Sequence, residues 1–169
     1  MWDSLSFMTT IRYKRSYNDK DDPYNMEELH PALGIDHGEA RIGLAITDPI
    51  GILAHPLETI HCQQTDPIER INTLIEQRQV KQIIIGLPLR MDGTEGSAAA
   101  KIRDFANDLK ASLSTPLPLH FIDERLTTVS AAEKLHAAGK NAKKQKGLID
   151  QAAAVEILSD WLAQQSPTF

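Results

Sequence analysis

The sequence predicts a single α/β domain on three observations: its length, the alternation of short apolar stretches with helix-period stretches, and the Gly, Pro and Asp punctuation between them. A chain of 169 residues can bury roughly two thirds of the surface its unfolded form exposes, yet would be cramped as two domains. Hydrophobic residues at 41% and charged residues at 24% are ordinary globular values. The apolar run from Ile83 to Leu89 falls far short of the ~20 residues that cross a bilayer, so no membrane is expected as a partner. A lone cysteine, Cys62, excludes an internal disulfide and a cysteine-based zinc cluster. With no charged-then-apolar leader at the N-terminus, the expected location is the cytoplasm.

Residues 1–30 mix charged, aromatic and polar side chains without a sustained period of 2 or 3.6, and are expected to form a flexible or loosely docked extension. The domain is expected over 31–164, with 165–169 as a tail. Ala32 to Asp36 and Ile42 to Thr47 have the length and apolar content of strands joined by a tight turn at Gly38, and a third strand is expected around Leu57 to Ile60. Asp66, Pro67 and Glu69 are a helix-start pattern, since Asp caps, Pro suits the first helical position, and an acid at the third completes a capping-box-like pattern. Ile68, Ile71, Leu74 and Ile75 then supply the buried stripe. Gln82 to Leu87 is apolar throughout, as in a strand buried on both faces, and Pro88 stops it. After a Gly-containing loop from Arg90 to Gly96, Ile102, Phe105, Ala106, Leu109 and Leu113 share one helical face, and Leu117 to Ile122 returns as a strand. Thr128 to Ala138 predicts a helix ended by Gly139. A last helix, from about Gly147, is expected to bury Leu148, Ala152, Val155, Leu158 and Leu162. The predicted order is β-β-β-α-β-α-β-α-α, without an internal repeat.

Three acids stand where chemistry gathers in such folds. Asp36 ends the first strand, Glu124 follows the last one, and Asp150 lies in the final helix beside Ala152, Ala153 and Ala154, a smooth face able to lie close to a sheet. In α/β sheets, sites collect at strand carboxyl ends. Carboxylates gathered together repel, and a cation is the usual remedy. Oxygen ligands without His or Cys suit Mg²⁺ or Mn²⁺, and two such ions can activate water and stabilise the leaving oxygen in phosphodiester hydrolysis. Each acid also has a structural alternative: Asp36 as a turn residue, Glu124 as the partner of Arg125, Asp150 as an acid near a helix N-terminus.

Taken together, the motifs resemble the YqgF/RuvX family: Gly34-Ile35-Asp36-His37-Gly38-Glu39-Ala40-Arg41-Ile42-Gly43, Thr47-Asp48-Pro49, Gly86-Leu87-Pro88 with Asp92-Gly93-Thr94-Glu95-Gly96, Asp123-Glu124-Arg125-Leu126-Thr127-Thr128, and Ile149-Asp150 with Ala152 to Ala154. They occur in family order over residues 32–163. The resemblance implies a ribonuclease H-like fold, a central mixed five-stranded sheet flanked by helices. It further implies nuclease activity in maturing the 5′ end of the small-subunit ribosomal RNA precursor, or the resolution of Holliday junctions. By motif it assigns Asp36, Glu124 and Asp150 as the metal-binding acids, the same three that the residues themselves select. Structured or precursor RNA is the implied partner ahead of DNA junctions, with ribosomal precursor particles as a wider setting. Two features depart from the family pattern. His37 stands where an apolar or aromatic residue is usual and is expected to face away from the site; and the stretch before Asp36 is long, so Met26, or less readily Met8, offers an internal start.

Net charge is −5, so a polyanion must be met by local rather than bulk charge. Arg41 and Arg125 lie beside the acids in sequence, where they would either hold substrate phosphate or neutralise the cluster. Lys140, Lys143, Lys144 and Lys146 crowd into 139–147 without an acid among them, and are read as a phosphate-binding loop or a merely solvated one. Thr127 and Thr128 suit a helix cap, and the remaining histidines have no metal spacing. Two other functions compete. Asp36-x-Gly38 also suits the phosphate loop of actin-like ATPases, which need two such domains; and the same fold could serve as a non-catalytic platform for RNA or a ribosomal partner.

Overall fold

A computed structural model describes residues 29–126 and 142–165, apart from the side chains of Leu126 and residues 142–145. Five strands form one sheet: β1 (Ala32–His37), β2 (Arg41–Thr47), β3 (Ala54–His61), β4 (Gln82–Leu87) and β5 (Leu119–Asp123). Their order is β3-β2-β1-β4-β5. β2 runs antiparallel to β1 and β3, whereas β1, β4 and β5 are mutually parallel. This is the expected mixed five-stranded sheet. The β1–β2 hairpin closes with the Gly38 amide donating to the Arg41 carbonyl at 3.0 Å.

Helix α1 (Pro67–Arg78) begins as its sequence demands: the Asp66 carboxylate accepts from the amides of Ile68 and Glu69 at 2.9 and 3.1 Å, satisfying two donors that a helix start leaves open. Helix α2 (Ser97–Ser112) buries Ala99, Ile102, Ala106 and Leu109. Both pack on the sheet face that carries Leu33, Ile35, Ile42, Leu44, Ile83 and Ile85. The opposite face carries Ala32, Ala45, Ile84 and Ile122 and is covered by α3 (Ala142–Gln165) through Ala154, Ile157, Leu158 and Trp161. Burying β4 on both faces explains why all six of its residues are inaccessible, and why its sequence has no alternation.

Several details differ from expectation. α3 starts at Ala142, not near Gly147, because Lys, Gln and Ala are good helix formers that outweigh the ~1 kcal/mol cost of an internal glycine. The Gly147 carbonyl is meanwhile fastened to β3, accepting from the Thr59 hydroxyl at 2.7 Å. Lys143, Lys144 and Lys146 therefore ride on a helix instead of a loop, and Lys146 is exposed; Lys140 lies outside the described residues, as does the helix expected over Thr128 to Ala138. The buried stripe of α3 is shifted to Ala154, Ile157, Leu158 and Trp161, leaving Leu148, Ala152, Val155 and Leu162 half-buried. β3 is longer than Leu57 to Ile60. β5 starts two residues late, after Pro118, which has no amide to offer a strand.

Leu29 and His30 are packed into the fold. The buried Gln82 side chain donates to the Leu29 carbonyl at 2.7 Å. His30 Nδ1 lies 2.8 Å from the Thr47 hydroxyl oxygen, which also accepts from the Ala32 amide at 2.8 Å. The His30 ring centroid is 5.8 Å from that of Trp161, near the end of α3. Among the described residues no helix is long and apolar enough to cross a membrane.

Candidate active site

Strand parity decides which side chains can meet. On β1, even-numbered residues face α3, so Asp36 projects to the same side as Ala32, while His37 turns to the α2 side and lies 4.4 Å from Phe105, ring centroid to centroid. On β2, Arg41, Gly43 and Ala45 share the α3 face. Glu124 begins a single 3₁₀ turn immediately after β5, and Asp150 comes from the third turn of α3. Acids from positions 36, 124 and 150 thus converge at the end of the sheet where β1, β4 and β5 finish.

Two glycines make the convergence possible. A Cβ on Gly43 would stand 2.0 Å from the Asp150 carbonyl oxygen, and one on Gly86 would stand 2.3 Å from Glu124 Oε1 and 2.6 Å from Ile157 Cδ1. Any side chain there would push α3 or Glu124 away. Glycine inside a strand is the sequence signal of such an approach.

The electrostatics are those of crowded acids. Burial, and then the Asp150 charge, raise Asp36 to about 6; burial, followed by Asp36 and Asp123, raises Glu124 to about 7. Arg41 answers part of this charge, its Nε donating to Asp150 Oδ2 at 2.7 Å. Arg125 does not join the three acids as expected. Its guanidinium is held by Asp123, with Nη2 donating to Oδ2 at 2.6 Å and Nε to the same carboxylate, and its Nη1 donates to the Arg90 and Met91 carbonyls at 3.2 and 3.4 Å. It pins the 90–96 loop beside the site. That loop is further held by Arg103, which pairs with Glu95 and lies 4.7 Å over the Phe121 ring. The Asp123 partnership was open to sequence reasoning as an acid two residues from Arg125; the 90–96 contact, which joins distant segments, had no such signal.

The donor set suits a hard divalent cation: oxygen ligands only, two of them carrying charge that their surroundings oppose and a cation would relieve. Among the described residues, however, no three His, Cys, Asp or Glu side chains already stand around a common point in metal-holding geometry.

Comparisons with known proteins give the chain's family. The family described as "RuvX: Holliday junction resolvase" matches residues 30–164. A Cutibacterium acnes protein is 46% identical over 132 residues, covering 78% of this chain and 81% of its own length; one from Mycobacterium ulcerans is 43% identical over 157 residues, covering 89% and 92%. Both are named "Putative pre-16S rRNA nuclease". Among solved structures, Thermus thermophilus RuvC in complex with a Holliday junction substrate aligns with a TM-score of 0.46 at 14% identity, covering 79% of this chain and 94% of that one. The family match runs from His30 nearly to the end of α3, and the sheet order and strand directions are those expected of a ribonuclease H-like fold: the chain belongs to the RuvX family.

Proposed function

We propose that this protein is a metal-dependent nuclease that hydrolyses phosphodiester bonds, with RNA processing at the 5′ end of pre-16S rRNA as its task. The observation that carries the reading is the gathering of Asp36, Glu124 and Asp150 at one sheet end, where burial and mutual repulsion raise the first two above the usual carboxylate range. The names of the relatives support RNA as the substrate class. Asp36, Glu124 and Asp150 would hold Mg²⁺ or Mn²⁺, as a pair of ions. When bound, such ions supply a water nucleophile and charge stabilisation for the leaving oxygen.

The chain's own residues contribute position and charge. β1 and β5 fix Asp36 and Glu124 on rigid elements, Gly43 admits the α3 backbone, and Asp123 with Arg125 braces the loop beside them. We place the catalytic domain at 31–164 and the reaction in the cytoplasm, on ribosomal precursor RNA.

The deciding experiment incubates purified protein with Mg²⁺ or Mn²⁺ and precursor rRNA, single-stranded RNA or a four-way DNA junction. Cleavage of precursor rRNA that needs the metal and is lost in Asp36→Asn, Glu124→Gln and Asp150→Asn is expected, with non-additive losses. Cleavage confined to the junction would move the substrate to DNA, as the family description suggests. No cleavage with either metal, together with tight RNA binding, would leave a binding platform, and ATP hydrolysis would favour the ATPase reading.

Substrate phosphates would meet Lys140, Lys143, Lys144 and Lys146, with Arg41 and Arg125 nearer the acids. Replacing the four lysines with Gln is expected to weaken single-stranded RNA binding in Ca²⁺ and to lower the slope of log affinity against log salt by up to about 3, at ~0.7 per phosphate released. Sequence preference should survive, since such contacts read backbone charge. Equal slopes for the two proteins would reduce the cluster to a solvated helix start.

A further inference from the structure

The acid cluster already contains a cation. Arg41 projects from β2 on the α3 face, one hairpin away from Asp36, and donates from Nε to Asp150 Oδ2 at 2.7 Å, with the two side chains only 31% and 17% exposed. The Asp150 charge also acts on Asp36, and Asp36 acts in turn on Glu124, so the guanidinium sits at one end of a line of three interacting acids. A carboxylate oxygen committed to a guanidinium N–H does not offer the same lone pair to a metal ion, and two cations at such a distance repel.

We propose that Arg41 is the resident counter-ion of Asp150, displaced when a divalent metal binds, and that the released guanidinium then takes a phosphate of the nucleic acid. This rests on the metal-dependent nuclease reading and adds an order of events to it. Without metal, Arg41 pairs with Asp150 and offsets part of the cluster's charge. With metal, a planar donor fork is freed beside the acids, able to take a phosphate. Arg41 then joins the two roles its sequence position left open, cluster neutralisation and phosphate binding, as successive states of one side chain.

The competing role is a strut that fastens α3 to β2 and holds Asp150 ready for the metal. The two roles predict opposite signs. Mn²⁺ is titrated calorimetrically, without nucleic acid, into the wild type, Arg41→Gln and Arg41→Lys. A displaced counter-ion predicts that Arg41→Gln binds Mn²⁺ about tenfold more tightly, since no ion pair has to be broken, and that Arg41→Lys lies between. With the site saturated by Ca²⁺, Arg41→Gln should bind single-stranded RNA more weakly, its salt slope lower by about 0.7. Equal or weaker Mn²⁺ binding by Arg41→Gln overturns the proposal in favour of the strut. Should Arg41→Gln fail to fold, Arg41→Lys carries the same comparison, and Mn²⁺ affinity no tighter than wild type overturns the proposal. Wild-type protein that takes up no Mn²⁺ rejects the metal site itself, a result separate from both.

Discussion

Asp36→Asn is expected to abolish cleavage and, in the same protein without metal, to raise stability at pH 8. The activity loss is of order a thousandfold or more, because a metal-ligating charge contributes several kcal/mol of transition-state stabilisation and each 1.4 kcal/mol is tenfold in rate. The stability gain follows from the raised carboxyl. Folded Asp36 releases its proton at about 6 against an ordinary value of 3.8, so the folded state holds that proton more tightly than the unfolded one. Its favourable contribution is complete below about pH 4 and is lost as pH rises through about 6, and Glu124 behaves alike up to about 7. Asn has no proton to lose. The variant should therefore gain about 2 kcal/mol over wild type at pH 8 in EDTA and little at pH 3.5. His30 and His37, lowered by burial, lose stability in the opposite direction on acidification, which is why the readout is the difference between the two proteins in chemical denaturation. An Asp36 that served structure alone would show a stability loss at both pH values, and retained turnover would remove it from the site.

Gly43→Ala should damage the protein more than any conservative change on the surface. The added methyl would lie 2.0 Å from the Asp150 carbonyl oxygen and 2.3 Å from its carbonyl carbon, and backbone cannot swing aside as a side-chain tip can. α3 would have to lift from β2, at about 3 kcal/mol or more for overpacking of this severity. Calorimetric melting should fall by roughly 6 to 12 °C for a domain of this size. Cleavage should fall further than stability alone explains, because Asp150 moves with the helix. Gly86→Ala is expected to be milder in stability, since part of what it meets is the Glu124 carboxylate. A Gly43→Ala protein that melts with the wild type would show that α3 does not rest on β2 through Asp150.

Much of this was legible along the chain. The strands announced themselves through β-branched and apolar runs between turn residues, and α1 through Asp66 and Pro67, because these are local preferences that tertiary packing here reinforces. The three acids stood out as candidates because each sits at a strand end or on a smooth helix face, and they remain the proposed site. The start of α3 was not legible: Gly147 looks like a boundary, yet its helix-forming neighbours carry the helix through it, and the Thr59 hydroxyl, 88 residues away in sequence, anchors it there. Arg125 was placed with the acids by adjacency, yet a side chain next to Glu124 in sequence points where the 3₁₀ turn sends it, to Asp123 and the 90–96 loop. Arg41 was read as lying beside the acids, and its pairing with Asp150 instead of Asp36 needed the register of β2 and the position of α3.

The contact of His30 with Trp161 joins the first and last parts of the described fold, at the pole where β1 begins and β2 ends. α3 travels from Asp150 beside the acids to Trp161 at that pole, about 16 Å along its axis. His30 and Trp161 thus bring the two ends of the described fold together at the pole opposite the three acids. A permuted chain that links these neighbouring ends with a short flexible bridge and opens at an exposed turn should keep the sheet, the helices and the converging carboxylates in place.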